Sequence, residues 1–166
     1  MLISSLEAWD GKHIDHLIEV YNNHANDSEF FEQLIEITKQ QQHLQVAATW
    51  LFKHHYDSKK TLSESQIDGI LNLSPTFTDW GAQLHVLQLL PHIRISIKNF
   101  MLVEGFVRTC LNSNVKFVRA WAYEGFYQLT KLQPTYTEEL KALCDKAMLT
   151  ESASVKARIR KIITRL

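Results

Sequence analysis

The stretch NSNVKFVRAWAYEGFYQL, from Asn112 to Leu129, decides the fold class of this chain. A polar turn opens it, and apolar residues then recur every three or four positions, which is the spacing of one face of an α-helix. The residues predicted to form this buried stripe are Val115, Val118, Ala122, Gly125, Phe126 and Leu129. The stretch therefore predicts a helix that packs against neighbours along one side.

The same stripe returns elsewhere in the chain at nearly constant intervals. At a shift of 37 residues the matching positions are Val155, Ile159, Ile162, Ile163 and Leu166. At a shift of 36 residues toward the N-terminus the matching positions are Ala82, Val86, Leu89, Leu90 and Ile93. A further 35 residues toward the N-terminus, the matching positions are Ala47, Leu51, His54 and His55. A period near 36 residues is typical of solenoids built from helical pairs.

The rest of the chain has the same helical period. Helices are predicted near residues 2–9, 12–24, 28–40, 43–57, 63–73, 79–93, 97–112, 115–132, 136–149 and 153–165. Ser63 followed by Gln66 has capping-box spacing, and Pro75 and Pro134 mark breaks between helices. With only 5 Gly and 3 Pro, and no alternating strand pattern, the sequence predicts an all-α fold.

Two segments carry a resemblance to a known repeat family. SNVKFVRAWAYEGF and SASVKARIRKII look like the inner-helix pattern of HEAT-like (armadillo-type) repeats, with Val118-Arg119 and Val155-Lys156 at matching positions. The resemblance implies a right-handed α-α superhelix of about ten helices in five antiparallel pairs. It implies a single domain over residues 1–166, with 1–25 as a degenerate first pair and 28–166 as about four repeats. Such repeats are scaffolds that grip a protein, peptide or nucleic acid on a concave face.

Charge is divided unevenly although the formal net charge is zero. Residues 1–93 carry 5 Lys or Arg and 12 Asp or Glu, a net of −7, whereas residues 94–166 carry 13 and 6, a net of +7. All 8 histidines lie in the acidic part. The division suits an acidic or nucleic-acid ligand on the C-terminal part, head-to-tail self-association, or a surface charge under weak selection.

A basic and aromatic surface is predicted on the flank of the opening helix and of its counterpart near the C-terminus. We call this set the basic ridge; its members are Lys116, Arg119, Tyr123, Tyr127, Lys156 and Arg160. Lysine and arginine neutralise an anionic ligand, and tyrosine offers a stacking surface. The structural alternative is that Arg119 ties adjacent repeats through a carboxylate while the tyrosines pack.

The alkylpurine DNA glycosylases built from HEAT-like repeats provide a sharper alternative. Such an enzyme is expected to have a basic groove with aromatic side chains beside a carboxylate. Trp80, Asp79, Trp121 and Tyr123 are the residues available for those roles. The zero net charge argues against a protein that wraps a duplex.

No other chemistry is indicated by the sequence. Cys110 and Cys144 are predicted to be buried thiols, and no CxxC, zinc spacing, GxSxG or phosphate-binding glycine loop is present. His13 and His16 are predicted to be surface residues, with His16 facing solvent. Catalytic residues, metals and cofactors are therefore not expected.

The N-terminal segment MLISSLEAWDGK lacks the features of a signal peptide, and no apolar run is long enough to cross a membrane. We therefore expect a cytoplasmic protein without membrane contact. The sequence favours a non-catalytic scaffold for a protein or peptide partner, with nucleic-acid binding as the alternative.

Overall fold

A computed structural model describes residues 1–166, which form ten α-helices and no strand. The helices are α1 (Leu2–Glu7), α2 (Ile14–His24), α3 (Phe30–Gln40), α4 (Gln45–Asp57), α5 (Glu64–Asn72), α6 (Trp80–Leu89), α7 (Ile97–Leu111), α8 (Lys116–Thr130), α9 (Thr137–Thr150) and α10 (Ala153–Ile163). The predicted all-α class is confirmed. The largest boundary error is at α6, which gives way to a short 3₁₀ turn over Leu90–His92 because Pro91 cannot donate a backbone hydrogen bond.

Local signals explain several helix starts. The Ser63 hydroxyl accepts a hydrogen bond from the Gln66 backbone at 3.2 Å, and the Gln66 side chain accepts one from the Ser63 backbone at 3.0 Å. The predicted capping box is therefore confirmed. At the start of α6 the Asp79 carboxylate accepts from the Gly81 backbone N–H at 2.7 Å.

The chain divides into two compact units, unit 1 over Met1–Val86 and unit 2 over Leu87–Leu166. No charged residue lies between 87 and 93, so the boundary also separates the −7 part from the +7 part. In unit 1, α1 packs on α2, and α3 packs on α4 and α5. Its core includes the fully buried Leu6, Leu17, Leu34, Leu51, Phe52, Ile70 and Leu71.

Unit 2 is organised around α8, which carries the opening stretch and packs against both α7 and α10. Val118, Ala122, Phe126 and Leu129 are fully buried and Gly125 is buried, so the predicted stripe of α8 is confirmed at these positions. Val115, which precedes the helix, is only half-buried. Gly125 permits the close approach of its neighbours, since a Cβ atom there would lie 3.0 Å from Val107 Cγ2.

The recurring stripe is buried at most of its positions in the other helices too. Buried members are Ala47, Leu51, His55, Ala82, Val86, Leu89, Leu90, Val155, Ile159 and Ile162. The prediction is wrong at Ile163 and Leu166, which are 43% and 38% exposed. Ile163 is the last residue of α10, and Leu166 lies beyond that helix, so the helical period no longer places them.

None of the ten helices combines the length and the apolar character that a membrane span requires.

Candidate ligand-binding cleft

The central residue of the basic ridge, Arg119, is engaged within unit 2. Its guanidinium donates to both carboxylate oxygens of Glu151 at 2.7 and 2.8 Å, and to the Ser113 carbonyl at 2.9 Å. This bidentate bond lowers the pKa of Glu151 below its ordinary value. Glu151 directly follows the last residue of α9, so the ion pair with Arg119 joins two helices. This is the structural role that the sequence offered as the alternative to ligand binding.

The other members of the basic ridge differ widely in exposure. Tyr123 is only 8% exposed, and burial raises the pKa of its phenol. The ring of Tyr127 lies under the Arg165 guanidinium at 4.3 Å. Lys156 is half-buried, and Lys116 and Arg160 are exposed. The structure therefore leaves two exposed cations on this surface, and their ligand role stays a prediction.

A buried acid that sequence reasoning missed lies on the same helix. Glu124 is 3% exposed, and its carboxylate accepts from the Arg165 guanidinium at 2.5 and 3.0 Å and from the Gln128 amide at 3.0 Å. Burial alone would raise the pKa of Glu124, but these hydrogen bonds outweigh it and hold the pKa below its ordinary value. Arg158 completes the cluster, 4.0 Å from the same carboxylate.

Cations also cover most of the aromatic rings of unit 2. The Arg158 guanidinium lies 3.7 Å above the Trp121 ring, and Arg108 lies 5.0 Å from the centre of the Phe126 ring. Trp121 is thus packed against a residue of the neighbouring helix α10. Cation–π pairing of this kind stabilises partly buried arginine.

Unit 1 contains an open cleft of about 730 Å³. It is lined by three of the four tryptophans of the chain, Trp9, Trp50 and Trp80, and we call it the tryptophan cleft. Its other side chains include the carboxylates Glu7, Asp10 and Asp79, the imidazoles His43 and His85, and several aliphatic residues, but no Lys or Arg. The loop after α1 supplies one wall of the tryptophan cleft, and α4 and α6 supply the others.

Hydrogen bonds fix the wall formed by the loop after α1. The Trp9 indole donates to the His13 carbonyl at 3.0 Å. The Asp10 carboxylate accepts from the backbone N–H groups of Lys12 and His13, both at 2.9 Å, and contacts the His13 ring at 2.5 Å. The backbone bond from His13 and the ring contact hold the pKa of Asp10 well below its usual range. Asp10 is therefore a permanent anion at neutral pH.

The two helices opposite approach each other closely. A Cβ atom on Gly81 would lie 3.2 Å from Val46 Cγ1, so glycine lets the first turn of α6 close on α4. Trp50 is held on one face by the His54 ring, with centroids 4.7 Å apart and planes 11° apart. Trp80, the first residue of α6, is 52% exposed, and no Lys or Arg of the chain lies over any of the three indoles.

A neutral histidine lines the tryptophan cleft. The Nδ1 atom of His85 is 3.0 Å from the Thr49 hydroxyl, and burial lowers the pKa of this imidazole to about 4. His85 is therefore uncharged at neutral pH and does not offset the carboxylates. His13, whose pKa is raised by its contact with Asp10, and Lys53, whose charge also lowers the pKa of His85, add positive charge nearby.

The four residues considered for a glycosylase divide between the two units. Asp79 and Trp80 line the tryptophan cleft, whereas Tyr123 is buried and Trp121 faces Arg158 in unit 2. The two residues of unit 1 therefore meet at one site, and the two of unit 2 are engaged by their own helices.

The histidines and cysteines do not converge on a metal. No group of three or more His, Cys, Asp or Glu side chains has a metal-binding arrangement. His16 is half-buried and its ring contacts the Ser5 carbonyl at 2.7 Å, so the prediction that it faces solvent is wrong. Cys110 and Cys144 are buried free thiols as predicted, and burial raises their pKa values to about 12 and about 11.

No protein-family model, curated protein or solved structure matches this chain.

Proposed function

We propose that the protein is a non-catalytic, HEAT-like helical-repeat scaffold that binds a protein or peptide partner in the cytoplasm, and that the tryptophan cleft is the binding surface. The observation that carries the proposal is the convergence of three of the chain's four tryptophans on one open cleft of about 730 Å³. This volume lies in the range of ligand pockets and accommodates a few side chains of a peptide.

Exposure of the Trp80 indole, at 52%, supports a binding role. A half-exposed tryptophan forgoes much of the stabilisation that burial of its large apolar surface would give. Trp80 lies at the first position of α6, and the core of unit 1 is filled by aliphatic and phenylalanine side chains without it. Tryptophan is enriched among the residues that dominate the energy of protein interfaces.

Selection of short random peptides displayed on phage against the full chain tests this proposal. We expect enriched peptides whose synthetic forms bind in calorimetry and lose about tenfold or more in affinity with Trp80→Ala. The matched control is Phe117→Ala, an aromatic residue of unit 2 that is 51% exposed, which should leave the affinity unchanged. Enriched peptides that are indifferent to Trp80→Ala would contradict the assignment of the cleft, and a lack of enrichment would contradict peptide binding.

A second candidate function is binding of nucleic acid by the basic ridge, including the glycosylase alternative. The +7 charge of unit 2 and the exposed Lys116 and Arg160 favour it. It predicts affinity for duplex DNA that falls steeply with salt and is reduced by Arg160→Glu. The absence of binding at low salt would eliminate it, and Trp80→Ala should not affect such binding unless a base enters the tryptophan cleft.

A further inference from the structure

We infer that the tryptophan cleft recognises a cationic side chain, foremost arginine, presented by a basic segment of a partner protein. The inference rests on the proposed function of the cleft as a peptide-binding surface. It adds the chemical class of the group that is bound.

Charge is the first argument. The lining of the tryptophan cleft contains the carboxylates of Glu7, Asp10 and Asp79 and no Lys or Arg. His85 is neutral at pH 7, and unit 1 as a whole carries a net −7. A low-dielectric cleft lined by one sign of charge concentrates ligands of the opposite sign and repels anions. An acidic peptide or a phosphate backbone is therefore the wrong ligand for this surface.

Unit 2 provides an internal example of the recognition. There the Arg158 guanidinium stacks 3.7 Å above the Trp121 indole while the Glu124 carboxylate lies 4.0 Å away. An indole face and a carboxylate together hold one guanidinium, which is the pairing that favours arginine over lysine. The protein thus uses this combination within its own fold.

The tryptophan cleft has the same two components, but its lining contains no arginine or lysine. Trp80 and Asp79 are adjacent in sequence at the start of α6, and both line the cleft. Asp79 Oδ1 accepts from the Gly81 backbone, and Oδ2 forms no hydrogen bond within the chain. Six of the seven cation–π contacts lie in unit 2, and the seventh involves Tyr21, so none uses an indole of this cleft.

The experiment uses the full chain and a synthetic glycine- and serine-based peptide that carries two arginines, with otherwise identical lysine, glutamine and glutamate versions. Binding is followed by tryptophan fluorescence and calorimetry. We expect affinity in the order arginine, lysine, glutamine, with a loss of about tenfold from arginine to glutamine and no binding of the glutamate peptide.

Two isosteric variants separate recognition by the tryptophan cleft from general electrostatic attraction by the net negative charge of unit 1. Asp79→Asn removes one charge from the cleft and keeps an oxygen to cap α6, so it should weaken the arginine peptide several-fold. Glu64→Gln removes one charge from an exposed residue outside the cleft and should have little effect. Equal losses in the two variants would overturn the inference, since only the overall charge would then matter.

The outcomes distinguish this inference from the proposed function. If peptides selected from the random library bind the cleft but contain no essential Lys or Arg, or if the glutamine peptide binds as well as the arginine peptide, the cationic assignment fails and the scaffold proposal stands. If neither selected nor arginine peptides bind, both fail. If free arginine amide binds as tightly as the peptide, the ligand is a small organic cation and the assignment to a protein segment is overturned.

Discussion

Unit 1 and unit 2 are both helical, but they join their helices by different polar contacts. In unit 1 the long-range side-chain bonds are not ion pairs; examples are the 2.8 Å contact of the buried His55 with the Tyr21 hydroxyl and the 2.8 Å bond from the Gln66 amide to the Glu32 carboxylate. In unit 2 they are ion pairs, such as Arg119 with Glu151 and Arg165 with Glu124. The ion pairs within unit 1 are only local, between residues three or four positions apart.

This difference explains how each unit uses its charge. Unit 2 carries the larger number of cations, yet several of them are bound by its own carboxylates and aromatic rings. Unit 1 has few cations, and three of its 12 acids line one cleft together with its three tryptophans. Charge counted from a sequence therefore identifies which part of a protein is basic, but not which part offers its charge to a ligand.

The largest expected effect concerns the core of unit 2. Val118→Asp places a carboxylate at a fully buried position with no cation nearby in the stripe, and should lower the free energy of unfolding by about 4 kcal/mol. Urea denaturation measures the change. Lys116→Asp, at the exposed first position of the same helix, is the control and should cost little. Unchanged melting of Val118→Asp would show that the register of α8 is wrong.

The next effect tests the buried ion pairs of unit 2. Glu124→Gln leaves Arg165 and Arg158 without their buried anion and should lower the free energy of unfolding by about 2 to 3 kcal/mol. This is a small loss for a broken buried ion pair, because both arginines are partly exposed to solvent and can be hydrated. Glu138→Gln, whose pairing with Lys141 is exposed, should change stability by well under about 1 kcal/mol. Equal effects would contradict a structural role for the cluster.

A third effect tests the neutral histidines of unit 1. The pKa of His85 is about 4 in the folded chain and near 6.5 when unfolded, so the unfolded state binds the extra proton as pH falls below about 6.5. Stability should therefore decrease by about 2 kcal/mol between pH 7 and pH 5, before the carboxylates titrate. His55, whose pKa is also lowered by burial, acts in the same direction.

Hydrogen exchange of the backbone amides measures this loss of stability locally. The amides of α4 and α6 are compared with those of α8, which serve as the reference. His85→Asn removes the titrating group and should flatten the pH dependence in α4 and α6. A pH dependence that is equal in the two units, or unchanged by His85→Asn, would show that the histidines are not responsible.

The smallest single effect is expected at Gly105, one of two glycines in the middle of adjacent helices of unit 2. A Cβ atom at Gly105 meets nothing within 4 Å, so Gly105→Ala should stabilise the chain by about 0.5 to 1 kcal/mol. At Gly125 the added methyl would press on Val107 and Leu90, so Gly125→Ala should be less stable than Gly105→Ala by about 1 to 3 kcal/mol. Equal melting of the two variants would contradict the close packing of α7 and α8.

Sequence periodicity was sufficient for the helices because their causes are local. The stripe of α8 and the Ser63 cap depend on residues three or four positions apart. For Arg119 the sequence left two roles open, ligand binding and an ion pair between helices, because its partner Glu151 lies 32 residues away. The register of a helix indicates which face is buried, but it does not select the ion-pair partner on a neighbouring helix.

The tryptophan cleft was beyond sequence reasoning for the same reason. Trp9, Trp50 and Trp80 belong to three separate segments, and only tertiary packing brings them to one cavity. One signal was present in the sequence: Asp79-Trp80 follows a helix break as an acid next to a large aromatic residue at a helix start. The sequence did not indicate that α6 approaches α4 closely at Gly81.

The most direct test of cation recognition by the tryptophan cleft is a titration of the ¹⁵N-labelled chain with the arginine peptide, observed at the four indole N–H signals. We expect the signals of Trp9, Trp50 and Trp80 to shift with one common affinity, while that of Trp121, already covered by Arg158, does not move. Movement of the Trp121 signal with the three others unchanged would place the binding surface in unit 2 and contradict recognition by the tryptophan cleft.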